Sequence, residues 1–167
     1  MHAGAMDHAS LLIVDDHPLF ADGFTQMVLT PRPRWTVRIA RSAREAVELF
    51  PGLAPNLAVI DVRLPDSDGC DVVRQLATLA PDVPYLLISG RDDPAMRVRA
   101  RACGARGFIA ETVEPAAIID ALGVVLAGGT AFDGVNAALP ALTARQAEIL
   151  VLLSEGHGNT DAAPSTT

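Results

Sequence analysis

A chain of 167 residues has room for one domain of ordinary size and an appendage. Half of its residues are hydrophobic and only 4% are aromatic, which suits a helix-covered parallel sheet with a large aliphatic core. The formal net charge of -7 argues against the chain as a whole being a nucleic-acid binder, since neutralising phosphates needs a basic face. All 13 basic residues are arginines; lysine is absent.

Residues 1–9 are small and polar, a loose lead-in with neither the basic region nor the apolar core of a signal peptide. No apolar run approaches the length of a membrane span, so the chain is expected in the cytoplasm with no membrane partner. Leu11-Leu12-Ile13-Val14 reads as a first strand over about 10–14, ending on Asp15-Asp16. His17-Pro18 opens a helix to about Leu29, with proline in the first turn where its missing N–H costs nothing. Pro31 and Pro33 stop it, and Trp35 to Ala40 alternates as a second strand. Ser42 and Glu45 form a capping box for a helix to Phe50.

Leu57-Ala58-Val59-Ile60 is a third apolar run that stops on Asp61, followed by a Pro-Asp-Ser-Asp-Gly turn. Asp68 to Leu79 reads as the next helix. Pro81 and Pro84 frame a return into Tyr85-Leu86-Leu87-Ile88, which ends on Ser89. Asp93-Pro94 starts a helix carrying Arg97, Arg99 and Arg101, read as a solvated face with a partner-facing surface as the alternative. A fifth strand over 106–110 ends on Glu111, and Pro115 opens a helix with an apolar stripe from Ile118 to Leu126. Cys70 and Cys103 fall in predicted helices and read as small buried hydrophobes in a reducing compartment.

Five strands alternating with five helices predict a doubly wound α/β domain. Continuous apolar runs bounded by turns belong to parallel strands buried on both faces. In such sheets ligands sit outside the carboxyl ends of the strands. One edge therefore collects Asp15, Asp16, Asp61, Ser89 and Glu111. Three aspartates together repel one another strongly, which implies a hard cation held through oxygen ligands.

The Asp15-Asp16 pair, the D-x-x-L-P-x-x-x-G run from Asp61 to Gly69, Ser89, and Gly104-Ala105-Arg106-Gly107-Phe108 resemble the receiver domain of bacterial two-component response regulators. The opening Val14-Asp15-Asp16-His17-Pro18-Leu19-Phe20 and the later Leu142-Thr143-Ala144-Arg145-Gln146-Ala147-Glu148-Ile149-Leu150 are similar to the NarL/FixJ (LuxR-type) branch. The resemblance implies a flavodoxin-like fold of strand order 2-1-3-4-5 with helices on both faces and a C-terminal helical appendage. Its expected divisions are a receiver over 10–127, a linker over 128–141, the first helix of an incomplete helix-turn-helix over 142–156, and a disordered tail over 157–167.

It further implies that Asp61 is the phosphoacceptor, with Mg²⁺ held by Asp15, Asp16, Asp61 and the backbone carbonyl of Arg63. Ser89 would donate a hydroxyl to a phosphoryl oxygen, and Phe108 would be the switch aromatic. The expected partners are a sensor histidine kinase or a phosphotransfer protein, with a homodimer as a further candidate assembly. The resemblance implies a signalling phosphoacceptor rather than an enzyme.

Two departures stand out. Relatives in this family carry a lysine three residues after the switch aromatic, and here that position is Glu111. In a chain without lysine no shift of alignment supplies one. Glu111 must swing outward, take a proton or pair with an arginine, and Arg63 and Arg91 are the nearest candidates for that pairing or for contacting the phosphoryl group. After the helix over 142–156 no recognition helix is apparent, so DNA binding is not expected from this chain alone, although full-length relatives bind DNA.

A second reading is therefore a phosphorylation-independent pseudo-receiver acting as an interaction module. An aspartate-based phosphatase would want a second acid where Arg63 stands. An FMN protein would not place Asp15-Asp16 at its phosphate turn.

Overall fold

The computed structural model describes residues 8–132. The elements run β1 (Ser10–Val14), α1 (Pro18–Leu29), β2 (Thr36–Ala40), α2 (Ala43–Leu53), β3 (Leu57–Asp61), α3 (Gly69–Leu79), β4 (Tyr85–Ser89), α4 (Pro94–Cys103), β5 (Gly107–Ala110) and α5 (Pro115–Leu126). The strands pair in parallel in the order β2-β1-β3-β4-β5, the expected flavodoxin-like order. The expected helix over 142–156 and tail over 157–167 lie outside the described residues, as does most of the expected linker.

Side chains of successive strand residues point to opposite faces, so each apolar run feeds two cores. Leu12, Val14, Ala58, Ile60, Leu87 and Phe108 pack toward α2, α3 and α4. Leu11, Ile13, Leu57, Val59, Leu86 and Ile88 pack toward α1 and α5. That two-sided burial is the physical reason the runs are unbroken rather than alternating. β2, at the sheet edge, keeps the alternation, with Thr36 and Arg38 exposed and Ala40 buried. It begins at Thr36 rather than Trp35 because the Trp35 N–H donates to the Arg32 carbonyl at 3.0 Å, outside the ladder.

Capping fixes the helix starts. Ser42 accepts the Glu45 N–H at 3.1 Å, and the Glu45 carboxylate reaches back to the Arg41 N–H at 2.7 Å. Asp68 and Asp93 cap α3 and α4 through the N–H groups of Cys70 and Ala95. α2 runs past Phe50 to Leu53 with Pro51 inside its last turn. The missing proline donor removes one bond there. Phe50 is buried and Leu53 packs against the same core, so the apolar face continues across the proline.

The α4 arginines are engaged rather than simply solvated: Arg97 pairs with Asp92, Arg99 with Asp68 at 3.1 Å, and Arg101 lies 4.2 Å from the Phe132 ring centroid. Beyond α5, Ala131 bridges Gly107 in parallel, and Ala131 and Phe132 are both buried, so the chain covers the open edge of β5 there. Cys70 and Cys103 are free and buried. Among the described residues no helix is long and apolar enough to cross a membrane.

Gly69 closes the loop that follows Asp61. A Cβ there would come within 2.5 Å of the Asp61 carbonyl oxygen and 2.9 Å of the Val62 Cα, both backbone atoms that cannot yield locally. Gly69→Ala is expected to destabilise the protein by about 2 kcal/mol through overpacking, read as a lower urea midpoint at unchanged slope. An unchanged midpoint would show that the loop relaxes freely.

Candidate functional site: an acidic pocket at the carboxyl edge of the sheet

The parallel register aligns the strand ends. Val14 lies beside Ala40 and Ile60, Asp61 beside Ile88, and Ser89 beside Ala110. The residues at or just after these ends therefore share one edge of the sheet. Asp15 continues β1, its N–H bonded to the Ala40 carbonyl at 2.9 Å, and its side chain is fully buried. Asp16, next along the chain, is partly exposed. Asp61 is buried at 5% exposure as the last residue of the central strand.

The loop that leaves Asp61 is fastened at two points. The Arg63 N–H donates back to Asp61 Oδ1 at 3.1 Å. Asp66 accepts the first two free N–H groups of α2, from Ala43 at 2.9 Å and Arg44 at 3.0 Å. Those bonds hold the Asp66 carboxyl below its usual range. They also satisfy orphan donors at a helix N-terminus where negative charge is favoured.

The three aspartates converge as the strand runs predict, with one addition that sequence reasoning missed. His17 stands among them, its Nδ1 3.1 Å from Asp15, 3.2 Å from Asp16 and 3.7 Å from Asp61. Its N–H also donates to Asp15 Oδ1 at 2.7 Å. In the sequence His17 reads only as the residue that opens α1. The available signal was its position immediately after the aspartate pair, in an extended cap conformation that turns the chain at the strand end. Hydrogen bonding to Asp15, then the charges of Asp16 and Asp15, raise the His17 pKa.

Burial, augmented by the Asp15 and Glu111 charges and opposed by the Arg63 N–H, pushes Asp61 up to about 6. Glu111 is also raised, first by burial and then by Asp15. Its N–H donates to the Ser89 carbonyl at 2.7 Å, and its carboxyl lines a cavity of about 580 Å³ with His17, Asp61, Arg63, Ser89 and Arg91. Neither Arg63 nor Arg91 forms an ion pair with Glu111 among the described residues. Ser89 Oγ accepts the Arg91 N–H at 3.2 Å. Phe108 is buried in the core beside α3 and α4.

The donor set fits a divalent cation. Asp15 Oδ2 is buried without a hydrogen-bond partner, and ligand atoms of Asp15, Asp16, His17 and Asp61 lie within 4.8 Å of one another. A buried carboxylate oxygen left unpartnered is costly, and a cation removes that cost.

The metal-free pocket has a definite pH signature. Asp61, Glu111 and His17 are all raised, so each binds its proton more tightly in the folded chain. Their contribution to stability is full below the unfolded carboxylate values. It is lost as pH rises from the unfolded carboxylate values near about 4, through about 6 for Asp61, and, for His17, from its unfolded value of about 6.5 upward. The melting temperature of chelator-treated protein is expected to fall from pH 4.5 to pH 8, and Mg²⁺ should recover it at pH 8 but not at pH 4.5. A melting temperature that rises across this interval would contradict the sign.

The pattern of the response regulator receiver domain family matches residues 11–123. The chain is 30% identical over 168 residues to the methanol utilization control regulatory protein MoxX of Paracoccus denitrificans, covering 92% of this chain and 75% of that protein. It is 29% identical over 168 residues to the DNA-binding transcriptional activator DevR/DosR of Mycobacterium tuberculosis, covering 92% of this chain and 77% of that one. A two-component response regulator of the LuxR family from an Aurantimonas species superposes with a TM-score of 0.69 at 28% identity, covering 74% of this chain and 89% of that one. A match that begins in β1 and ends in α5 takes in every strand and helix described above, and the chain belongs to the response regulator receiver domain family.

Proposed function

We propose that this receiver accepts a phosphoryl group on Asp61, from a sensor histidine kinase or a phosphotransfer protein, with Mg²⁺ held by Asp15, Asp16, Asp61 and the Arg63 carbonyl. The observation that carries the reading is the convergence of a buried central-strand carboxylate with two further aspartates, one of them holding an unpartnered buried oxygen. An Asp61 oxygen would attack the donor's phosphorus as the bond to the donor's leaving group breaks, giving an acyl phosphate. The cation would supply neutralisation of the charge on the phosphoryl oxygens. The site's own residues position and stabilise. The Arg63 N–H donates to Asp61, and the Ser89 hydroxyl, which lines the cavity, would donate to a phosphoryl oxygen. Phe108 would report the change in shape, and Arg63 and Arg91 would offer cations at the rim.

One observation favours a second reading. A carboxyl group with a raised pKa, Glu111, occupies the position where relatives place a cation. This suits a phosphorylation-independent interaction module. Incubation with acetyl phosphate in Mg²⁺ or in chelator, followed by intact-mass analysis, separates the two. One added phosphoryl group that appears only with Mg²⁺ supports the phosphoacceptor. No added mass in either condition selects the interaction module.

A further inference from the structure

The two edges of the sheet differ. Ala131 bridges to β5, whereas among the described residues no strand pairs with β2 on its outer side. Thr36 donates its N–H to the Ala9 carbonyl and Ala40 accepts the Asp15 N–H, so alternate residues of β2 bond inward to β1 and its flanks. The N–H and C=O groups of Val37 and Ile39 therefore turn outward.

That edge is also basic. Five of the 13 arginines fall between Pro31 and Arg44, a stretch with no acidic residue, in a chain whose net charge is -7. Arg34 and Arg38 are exposed and form no ion pair among the described residues. Arg32 lies 5.3 Å over the Trp35 ring, and Arg41 has only Asp22, at 4.0 Å. None of these residues lines the acidic cavity.

We propose that the open edge of β2 docks an extended acidic segment of a partner protein, which adds to the sheet as a further strand. The outward backbone groups need a partner with both N–H donors and carbonyl acceptors, which a polypeptide has and a phosphate backbone lacks. The arginines select its charge. A second copy of this chain docking through the same edge would set arginine against arginine, and like charges across a strand pair are destabilising. Charges that guard an edge against its own kind thus invite a strand of opposite sign.

The alternation of β2 gives the segment its pattern. Thr36 and Arg38 stand exposed on one face, while Val37 and Ile39 pack on the other against the core beside α1 and α5. Cross-strand neighbours then alternate between an acid facing Arg38 and a β-branched apolar residue facing Val37 and Ile39.

Fluorescence anisotropy with a labelled short peptide alternating glutamate and valine tests this on the full chain, alongside hydrogen exchange of the ¹⁵N-labelled protein. The peptide is expected to bind at low ionic strength and to slow exchange of the Val37 and Ile39 amides at least about tenfold. Combining Arg34→Glu with Arg38→Glu turns two attractions into repulsions at exposed positions and should weaken binding about tenfold, with the loss shrinking as salt is added. A glutamine–valine peptide should bind as weakly to the parent. The same acidic peptide, N-methylated at alternate residues, keeps its charge but loses its donors, and should also bind at least about tenfold more weakly.

No binding by the parent, or equal affinity in parent and double variant, overturns the proposal. N-methylated peptide that binds as tightly, or unchanged exchange at Val37 and Ile39, overturns strand addition. A single-stranded oligonucleotide that binds as tightly as the acidic peptide overturns the choice of a protein partner. Self-association of the parent that Arg34→Glu with Arg38→Glu abolishes would assign the edge to a second copy instead.

Discussion

Asp61→Asn is expected to abolish labelling by acetyl phosphate and at the same time to stabilise the metal-free protein at pH 8. The first effect follows from chemistry: an amide is no nucleophile toward phosphorus, and no neighbouring group replaces the carboxylate at the end of the central strand. The second follows from the pocket's electrostatics. Asp61 is raised to about 6 by burial and by the charges of Asp15 and Glu111, so at pH 8 the folded state holds a charge that its surroundings disfavour. A tenfold change in proton affinity corresponds to about 1.4 kcal/mol, and allowing for water at the open side of the pocket the gain should be about 2 kcal/mol.

Asparagine keeps an oxygen for the Arg63 N–H, so the loop anchor is retained. The gain should fall below about 1 kcal/mol near pH 4, where Asp61 is protonated in the folded state and about half so in the unfolded one. Two measurements check the pair: intact mass after phosphodonor treatment, and urea unfolding at pH 8 and pH 4. Undiminished labelling of Asp61→Asn removes Asp61 as the acceptor. A variant less stable than the parent at pH 8 shows that the carboxylate is better paired than its environment indicates. A gain in stability at pH 8 would mean that the site trades stability for chemistry, as functional sites commonly do.

Glu111→Lys should have the next largest effect, because it changes the charge of the pocket by two units. Glu111 is one of the anions that raise Asp61. Two like charges about 4 Å apart at an effective dielectric near 20 repel by roughly 4 kcal/mol. An ordinary hydrogen bond contributes only about 1 kcal/mol net, so a single bond could not hold an ionised Glu111 against a phosphorylated Asp61. No arginine neutralises it among the described residues.

The parent is therefore expected to bind Mg²⁺ yet respond weakly in self-association on phosphorylation. Glu111→Lys places a cation where a phosphoryl oxygen can be held and should give a phosphodonor-dependent increase in sedimentation coefficient. Full dimerisation of the phosphorylated parent, with Glu111→Lys adding nothing, would show that the glutamate leaves the switch intact. The same variant should bring Asp61 closer to the ordinary carboxylate range, which shifts the pH profile of metal-free stability independently of phosphorylation.

Much of this molecule is written in short-range pattern. Runs such as Leu11–Val14 and Leu57–Ile60 specify parallel strands because a strand covered on both faces admits no polar residue. Ser42, Asp68 and Asp93 mark helix starts because a side-chain oxygen there accepts an otherwise orphaned N–H. Once strands and helices alternate, Asp15, Asp16 and Asp61 fall on one edge of the sheet, and their convergence then needs β1 beside β3, which the strand order supplies. The absence of a cation at position 111 is equally legible, since no lysine exists anywhere in the chain.

Tertiary structure alone decided the rest, and in each case the reason is a meeting between groups whose separation or orientation carries no local signal. Adjacent residues at a strand end face different ways, so only the sheet shows that Asp15 is buried while Asp16 is partly exposed. Asp66 caps a helix that begins 23 residues earlier, through a loop whose path depends on the packing of α2 and α3. Arg99 reaches Asp68 across the α3–α4 contact, and Arg101 reaches Phe132 beyond α5. His17 opens a helix as far as the sequence says; its ring enters the carboxylate cluster because the turn between β1 and α1 aims it there, beside Asp61, which pattern alone places on a different strand.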